Sequence, residues 1–409
     1  MNTTRRQTLG LIAGGAAFAI GGCGPADNRG AKAADVIVLG AGLSGLHAAL
    51  ILEDAGMNVL TLEASNRIGG RMFTLDDLPG TPEAGGAQVG RSYARVRARA
   101  IEYGIGMKDF PPNRFGEVLN VDGALLTADA WSEAPVNDLP APFSQIPPSS
   151  MFFALVARRN PLPDIYAWRK PEWREHDIAA ARYLETALGA PDAALRLMDA
   201  TLNARDLDTY SMMNVWRTLA IYEQDRDLGP SQRIAGGSQR LPEAMANALR
   251  IPVRTGARVA AIQTDAAGAS VTLDTGETLR ADYIVSALPF AVLRELTLPG
   301  AIPEAQAEAI GSLAYTPILQ LHLEAETPWW EADGLPPEMW TNSRLERLFA
   351  GRDETGAPTG MLTAWIDGTG GLGADALDET GLEAMARETL AEIRPASEGR
   401  VRLRRAVRW

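Results

Sequence analysis

Near the start of the chain, three glycines and one acid have the types and spacing to hold a dinucleotide. Gly40-Ala41-Gly42-Leu43-Ser44-Gly45 follows the pattern G-x-G-x-x-G, and Glu63 stands 18 residues beyond Gly45. Gly40 permits a tight turn. Gly42 removes a side chain so that backbone can approach a pyrophosphate, and Gly45 allows a helix to pack closely on a strand. The N–H groups of Leu43 and Ser44 would open that helix, where exposed donors and the helix dipole favour an anion. A carboxylate at Glu63 can accept both hydroxyls of an adenosine ribose and repels a 2′-phosphate.

Such a turn works only between the right elements. Asp35-Val36-Ile37-Val38-Leu39 is a short apolar run of the kind that forms a buried parallel strand. Helical spacing follows in Leu46, Ala49, Leu50 and Leu52, and Gly56 ends it. Asn58-Val59-Leu60-Thr61-Leu62 is a second strand that delivers Glu63 at its end. Further on, Val253 to Leu288 reads as sheet, with a hairpin turning at Gly276. Pro191 to Tyr222 has helical spacing, as do Pro303–Leu313 and Leu382–Ile393. Leu319, Leu321 and Leu323 alternate with Gln320, His322 and Glu324, so His322 is expected on the exposed face of a strand. Met361–Ile366 and Val401–Arg404 should join the same sheet. Residues 111–175 are too rich in proline for one long helix and read as loops and short helices. Trp168 and Trp173 are expected to pack there, with a channel-lining role as the sharper option. Arg158-Arg159 and Arg169-Lys170 read as a solvated face, with an anionic-lipid contact as the sharper one.

Composition removes several classes of function. The chain has 409 residues, 46% hydrophobic and 22% charged, so disorder and a disulfide scaffold are excluded. A net charge of −12 opposes general nucleic-acid binding. The single cysteine, Cys23, forms no internal disulfide. The three histidines, His47, His176 and His322, are too scattered to suggest a metal site, and no convincing nucleophilic triad is present. All but three of the 39 basic residues are arginine, the lysines being Lys32, Lys108 and Lys170.

After the acid, Glu63-Ala64-Ser65-Asn66-Arg67-Ile68-Gly69-Gly70-Arg71 resembles the L-E-A-x-x-R-x-G-G-R segment of the flavin-containing amine oxidase family, of monoamine oxidase type. Glu83-Ala84-Gly85-Gly86-Ala87-Gln88-Val89-Gly90 is similar to the stretch that passes the flavin ring in that family. Gly236–Met245, Arg258–Ile262 and Ala281–Pro289 resemble later segments that return to and leave the flavin domain. The resemblance implies an α/β fold: a Rossmann-like FAD-binding domain (residues 34–90 and 231–292) interleaved with an α+β substrate domain (91–230 and 293–409), a mixed sheet flanked by helices. It implies FAD contacts at Gly40, Gly42, Leu43, Ser44, Gly45, Glu63, Ala64, Arg71, Gly85, Gly86, Ala87, Gln88 and the backbone of Val259, with positive charge near the phosphates from Arg67 and Arg71. It implies oxidation of a neutral amine, with hydride passing from the α-carbon to flavin N5, hydrolysis of the imine, and reoxidation by O2 or another acceptor. No nucleic acid or metal is expected.

Two departures from the family pattern stand out. Most of the family carries a lysine on the strand here spanning Ile318 to Leu323. Ile318 or Gln320 would occupy its place, and no lysine follows Lys170. The family's last flavin-binding segment follows a strand ending in Trp, and this sequence ends at Trp409, so that segment is expected to be missing. These departures keep open a non-catalytic or truncated flavin-fold binding protein. A desaturase or porphyrinogen-type flavin oxidase is the enzymatic alternative. Gln88 is neutral, which favours amines over amino acids, while Arg91 keeps the amino-acid option alive.

The first 33 residues read as an address. Thr4-Arg5-Arg6-Gln7-Thr8-Leu9 is a twin-arginine start, followed by a short Gly- and Ala-rich apolar run to Gly22. Ile20-Gly21-Gly22-Cys23 resembles a lipoprotein cleavage box, and Ala31-Lys32-Ala33 an A-x-A site. Export by the twin-arginine route to the periplasm is expected, with a possible membrane anchor at Cys23.

Overall fold

The computed structural model describes residues 32–111, 115–200, 202–300, 302–353 and 355–409. The twin-arginine motif, the cleavage box at Cys23 and Ala31 of the A-x-A site lie outside them.

The opening strand, Val36–Leu39, is buried along its whole length. It lies between Val59–Leu62 and Tyr283–Ser286 in a three-stranded parallel sheet. A strand covered on both faces must be apolar at every position, which is why its sequence is a continuous run. One face packs Val36 and Val38 against Leu46, Ala49 and Leu50 of the helix Leu43–Asp54, and against Leu241 and Met245. The other face packs Ile37 and Leu39 on Val259, Ile262 and Val271. These last belong to an antiparallel meander, Val259–Asp265, Gly268–Leu273 and Thr278–Ala281. The expected sheet over 253–288 is therefore two sheets. The meander covers one face of the parallel layer, and the chain joins that layer at Tyr283, whose N–H donates to the Asp35 carbonyl at 3.2 Å.

The second body is a seven-stranded mixed sheet. Its order is Val401–Arg408, Ile318–Ala325, Pro358–Asp367, Arg347–Arg352, Met339–Thr341, Val118–Val121 and Ala124–Thr127. Leu319, Leu321 and Leu323 turn to one face and pack on the helix Glu379–Ile393 through Leu382, Ala386 and Leu390. Each buried leucine contributes about 1.5–3 kcal/mol. Asp378 caps that helix, accepting from the Gly381 N–H at 2.8 Å.

The alternate face departs from expectation, because His322 is completely buried. The loop following Phe73 covers it, with Leu75, Leu78 and Ala84 packed on Met361 and Val407. Asp77 of the loop pairs with Arg405 at 2.6 Å. Alternation reveals which residues share a face, whereas solvent on that face depends on what the rest of the chain lays over it.

A third core is helical, built from Pro148–Ala157, Ala180–Leu188, Asp192–Asp199 and Met212–Leu228. The helical pattern from 191 to 222 is two helices, and their junction is held by polar groups. Asp199 accepts from the Leu207 N–H at 3.0 Å, and Ser211 caps the second helix through the Asn214 N–H at 3.3 Å. Trp216 is buried in this core, Trp173 packs against it, and Trp168 is exposed.

Candidate functional site

The three glycines of the first turn have separate reasons to be glycine. Gly40 has φ +96° and donates its N–H to the Leu62 carbonyl at 2.7 Å. A Cβ on Gly45 would sit 1.9 Å from the Gly40 carbonyl oxygen, so close packing requires its absence. Gly42 is different. Its φ of −77° suits any residue, and a Cβ there would meet nothing closer than Gly70 Cα at 3.7 Å. The protein by itself does not need glycine at 42, whereas a ligand pressed against the backbone does.

The helix that begins at Leu43 has no side-chain cap and no acid in its first turn. Its orphan N–H groups and dipole therefore favour an external anion. Ser44 is exposed and Leu43 half-buried at this opening. Glu63 is half-buried and held rigidly: Oε2 accepts from the Ala41 N–H at 2.9 Å, and Oε1 from the Ser65 N–H and hydroxyl, both at 2.9 Å. A carboxylate oxygen has lone pairs to spare after these bonds, so hydroxyl donors can still be accepted. These residues fit a dinucleotide that carries a pyrophosphate and a free ribose diol.

The other expected contacts converge on the same opening. The Gly69 N–H donates to the Ala41 carbonyl at 2.8 Å, which lays the segment after Glu63 beside the glycine turn. Ala64 and Arg71 are exposed there, and Arg71 makes no side-chain hydrogen bond or ion pair among the described residues. The Gly86 N–H donates to the Arg71 carbonyl at 2.8 Å, bringing Gly85, Gly86, Ala87 and Gln88 alongside. A Cβ on Gly85 would lie 2.0 Å from that carbonyl, while Gly86 and Gln88 are exposed. Val259 is buried at the start of the meander, two residues after Ala257, whose N–H donates to the Glu63 carbonyl at 2.8 Å.

Arg67 is not free to meet phosphates. Its guanidinium donates to the carbonyls of Ile68, Gly70 and Met72 at 2.9, 2.7 and 3.0 Å and lies over the Phe73 ring, so it shapes the loop. Glu83 is likewise structural. It accepts from the Thr74 hydroxyl at 3.0 Å and from the Ser238 N–H and hydroxyl at 2.6 and 2.5 Å, and burial raises its pKa against those bonds. Arg91 donates to the Pro230 carbonyl at 2.8 Å and faces Asp109 at 3.3 Å, so it is committed away from Gln88. A cavity of about 740 Å³ lies elsewhere, beside the edge strand Tyr283–Ser286, lined by Ile262, Ile284, Leu298 and Ile310.

The buried face of the large sheet meets this opening at one end. Ile318 pairs with Trp409, whose indole N–H donates to the Ala84 carbonyl at 2.6 Å, immediately before Gly85. Ile318 and Gln320 share that face, and only Gln320 is polar. It is 1% exposed, and its Oε1 has no hydrogen-bond partner among the described residues. Directly across the ladder stands Trp365, whose buried Nε1 is also unpartnered. His322 lies beyond, with Nδ1 3.2 Å from the Thr363 hydroxyl and Nε2 buried without a partner. Its pKa is lowered to about 4 by burial first and the Arg405 charge second. Next to Trp365, Arg347 is bonded to Asp367, and the Asp367 N–H donates to Glu346 at 2.9 Å. Burial raises both of those carboxyls, Glu346 more than Asp367. The sequence signal for Thr363, Trp365 and Asp367 was the alternation of one strand. Their meeting with Gln320, Arg347 and Glu346 depends on the register of three.

Known proteins give an independent view. Residues 43–407 match the family model described as flavin containing amine oxidoreductase. A flavin-containing amine oxidase of Danio rerio is 23% identical over 74% of this chain and 59% of its own length. An L-amino-acid oxidase of Naja atra is 25% identical over 73% of this chain and 60% of its own length. The chain thus spans about 60% of the length of these curated relatives. Among solved structures, a cyclohexylamine oxidase from Brevibacterium oxydans superposes with a TM-score of 0.71 at 20% identity, covering 92% of this chain and 84% of that one. A putrescine oxidase bound to putrescine gives 0.68 at 22% identity, with the same coverage. The structural likenesses show the fold, with its Rossmann-like parallel layer and mixed sheet. The family-model match, which begins inside the glycine turn and runs to the last strand, shows that the chain belongs to the flavin-containing amine oxidoreductase family, whose cofactor is FAD.

Proposed function

We propose that this chain oxidises a neutral amine with FAD held at the glycine turn. The observation that carries the reading is Gly42: a glycine the protein's own packing does not require, at an uncapped helix start, beside a carboxylate held in place. The pyrophosphate would take the N–H groups of Leu43 and Ser44. Glu63 would accept the ribose hydroxyls, and Ala64, Arg71, Gly85–Gln88 and the Val259 backbone would line the remainder. FAD, when bound, supplies the acceptor for a hydride from the amine's α-carbon.

The chain's own residues would bind and orient the amine. Gln320 and Trp365 offer an unpartnered acceptor and donor on the buried face that meets the turn. Burial excludes water from that face, which strengthens each polar contact made there. Arg91 is held by Pro230 and Asp109, and Gln88 carries no charge, so amines are favoured over amino acids. Gln320 is neutral where most of the family has a lysine, so reoxidation by O2 should be slow and another acceptor is admitted. The division into residues 34–90 with 231–292 and 91–230 with 293–409, and twin-arginine export to the periplasm with an anchor at Cys23, belong to the same proposal. Arg5, Arg6 and Cys23 support the latter, and fractionation after osmotic shock tests it.

The test is a visible spectrum of the purified protein, then anaerobic addition of a panel of amines. A yellow protein bleached by an amine is expected. A colourless protein that takes up no added FAD would sink the proposal. Bleaching only by a porphyrinogen or polyene would move the chain to the desaturase type.

A further inference from the structure

One segment of the helical lobe, residues 158–174, carries five exposed cations. Several arginines elsewhere are paired with acids: Arg240 with Asp76, Arg254 with Glu277, Arg394 with Asp333, Arg402 and Arg404 with Glu324, Arg405 with Asp77. Arg158, Arg159, Arg169, Lys170 and Arg174 are all exposed, and none has an ion pair among the described residues. They outnumber the acids of the same segment, Asp164, Glu172 and Glu175, in a chain whose net charge is −12.

Two aromatic rings stand among these cations. Trp168 is 42% and Tyr166 58% exposed. Arg169 lies over both rings, 5.6 Å from the Trp168 centroid and 5.3 Å from the Tyr166 centroid, and Arg217 lies 5.5 Å from the Trp168 centroid. Arg158 and Arg159 precede Asn160, which donates to the Trp216 carbonyl at 2.9 Å, one residue before Arg217, so the end of one helix is tied to the second turn of another. Unpaired cations with amphipathic rings between them match a lipid surface: the charges meet anionic headgroups, and the rings settle at the level where apolar and wet regions meet.

We propose that the Arg158–Arg174 face, with Arg217, docks on an anionic lipid bilayer. The occupant is argued from charge complementarity. An acidic protein carries here five exposed cations that have no ion pair among the described residues, beside two exposed aromatic rings. The proposal is independent of the amine chemistry, since none of these residues belongs to the glycine turn or to the buried sheet face.

The experiment is co-sedimentation of the full chain carrying Cys23→Ser, which removes any anchor at that residue from the comparison. Vesicles of phosphatidylglycerol mixed with phosphatidylcholine are set against phosphatidylcholine alone. Binding only to the anionic vesicles, lost at high salt, is expected. Arg169→Glu with Lys170→Glu should weaken it by on the order of tenfold or more, since each basic residue near a charged surface is worth about fivefold. Trp168→Ser should weaken it less and leave the salt dependence in place. Circular dichroism confirms folding, and Arg158→Glu with Arg159→Glu is a second charge reversal should the first pair misfold. Equal binding to both vesicle types, binding indifferent to both charge reversals, or heparin or DNA binding with no vesicle binding would each overturn the proposal.

Discussion

The glycine turn and the buried face of the large sheet approach one another at Ala84 and Trp409, yet they are made by opposite means. At the turn, what matters is the absence of side chains: Gly42 leaves room, Gly45 allows contact, and the charged groups available to a ligand are an uncapped helix start and one carboxylate already held by three hydrogen bonds. On the sheet face, large polar side chains are driven out of water and must find one another. Arg347 and Asp367 do, while Gln320, Trp365 and His322 keep a buried polar atom with no partner among the described residues. The contrast teaches that Gly42 of the turn can be altered with little effect on folding, whereas the sheet face carries much of the stability and the pH dependence.

The most forceful way to break this contrast is at Arg347. Arg347→Ala leaves Asp367 buried without its partner and should lower the unfolding free energy by about 3–5 kcal/mol, read by urea denaturation. A loss as small as that of an exposed arginine would show that the face does not carry stability.

His322 offers the next largest effect. Its folded pKa is about 4, below the ordinary 6.5, so the unfolded chain binds the proton first. The His322 contribution to stability is therefore full above about pH 6.5 and falls as pH drops toward 4, by up to about 3 kcal/mol. His322→Gln should flatten that slope in urea titrations between those limits. The raised Glu346 carboxyl acts in the opposite sense, with stability lost as pH rises, so the two contributions separate by variant.

Glu63→Leu tests the turn itself. Loss of charge-assisted bonds to a ribose diol should weaken FAD by roughly 100-fold, seen as a colourless preparation, and the orphaned Ala41 and Ser65 donors should cost the cofactor-free protein about 1–3 kcal/mol, less than Arg347→Ala. A preparation as yellow as the unaltered protein would remove the cradle from the account. Gly42→Ala sharpens the comparison with the smallest change. Stability of the cofactor-free chain should stay within about 0.5 kcal/mol, because the new methyl meets only ordinary contacts. FAD affinity should nevertheless fall on the order of tenfold, as fluorescence titration would report, because the methyl occupies the backbone's approach to the pyrophosphate.

The turn was legible residue by residue. Gly40, Gly42, Gly45 and Glu63 act through backbone geometry and one adjoining strand, all within a short stretch of chain. The strands at Ile318–Ala325, Pro358–Asp367 and Val401–Arg408 were legible as elements too, since their alternation is local. His322 was misplaced because its cover comes from the loop around Leu75 and Leu78, about 240 residues earlier in the sequence. Arg67 was misread because its three carbonyl partners depend on how the following glycines turn.

By itself the sequence determined the dinucleotide turn, its helix and strands, the acid at the second strand's end and the want of a lysine after Lys170. Such properties follow from spacing, steric allowance and composition, which act between near neighbours. Only the tertiary structure decided that Gln320 is buried beside Trp365, that Arg347 meets Asp367 and Glu346, and that the exposed arginines of residues 158–174 form no ion pair among the described residues. Those depend on strand register and on which distant loop excludes water, and burial, unlike spacing, is a property of the whole chain.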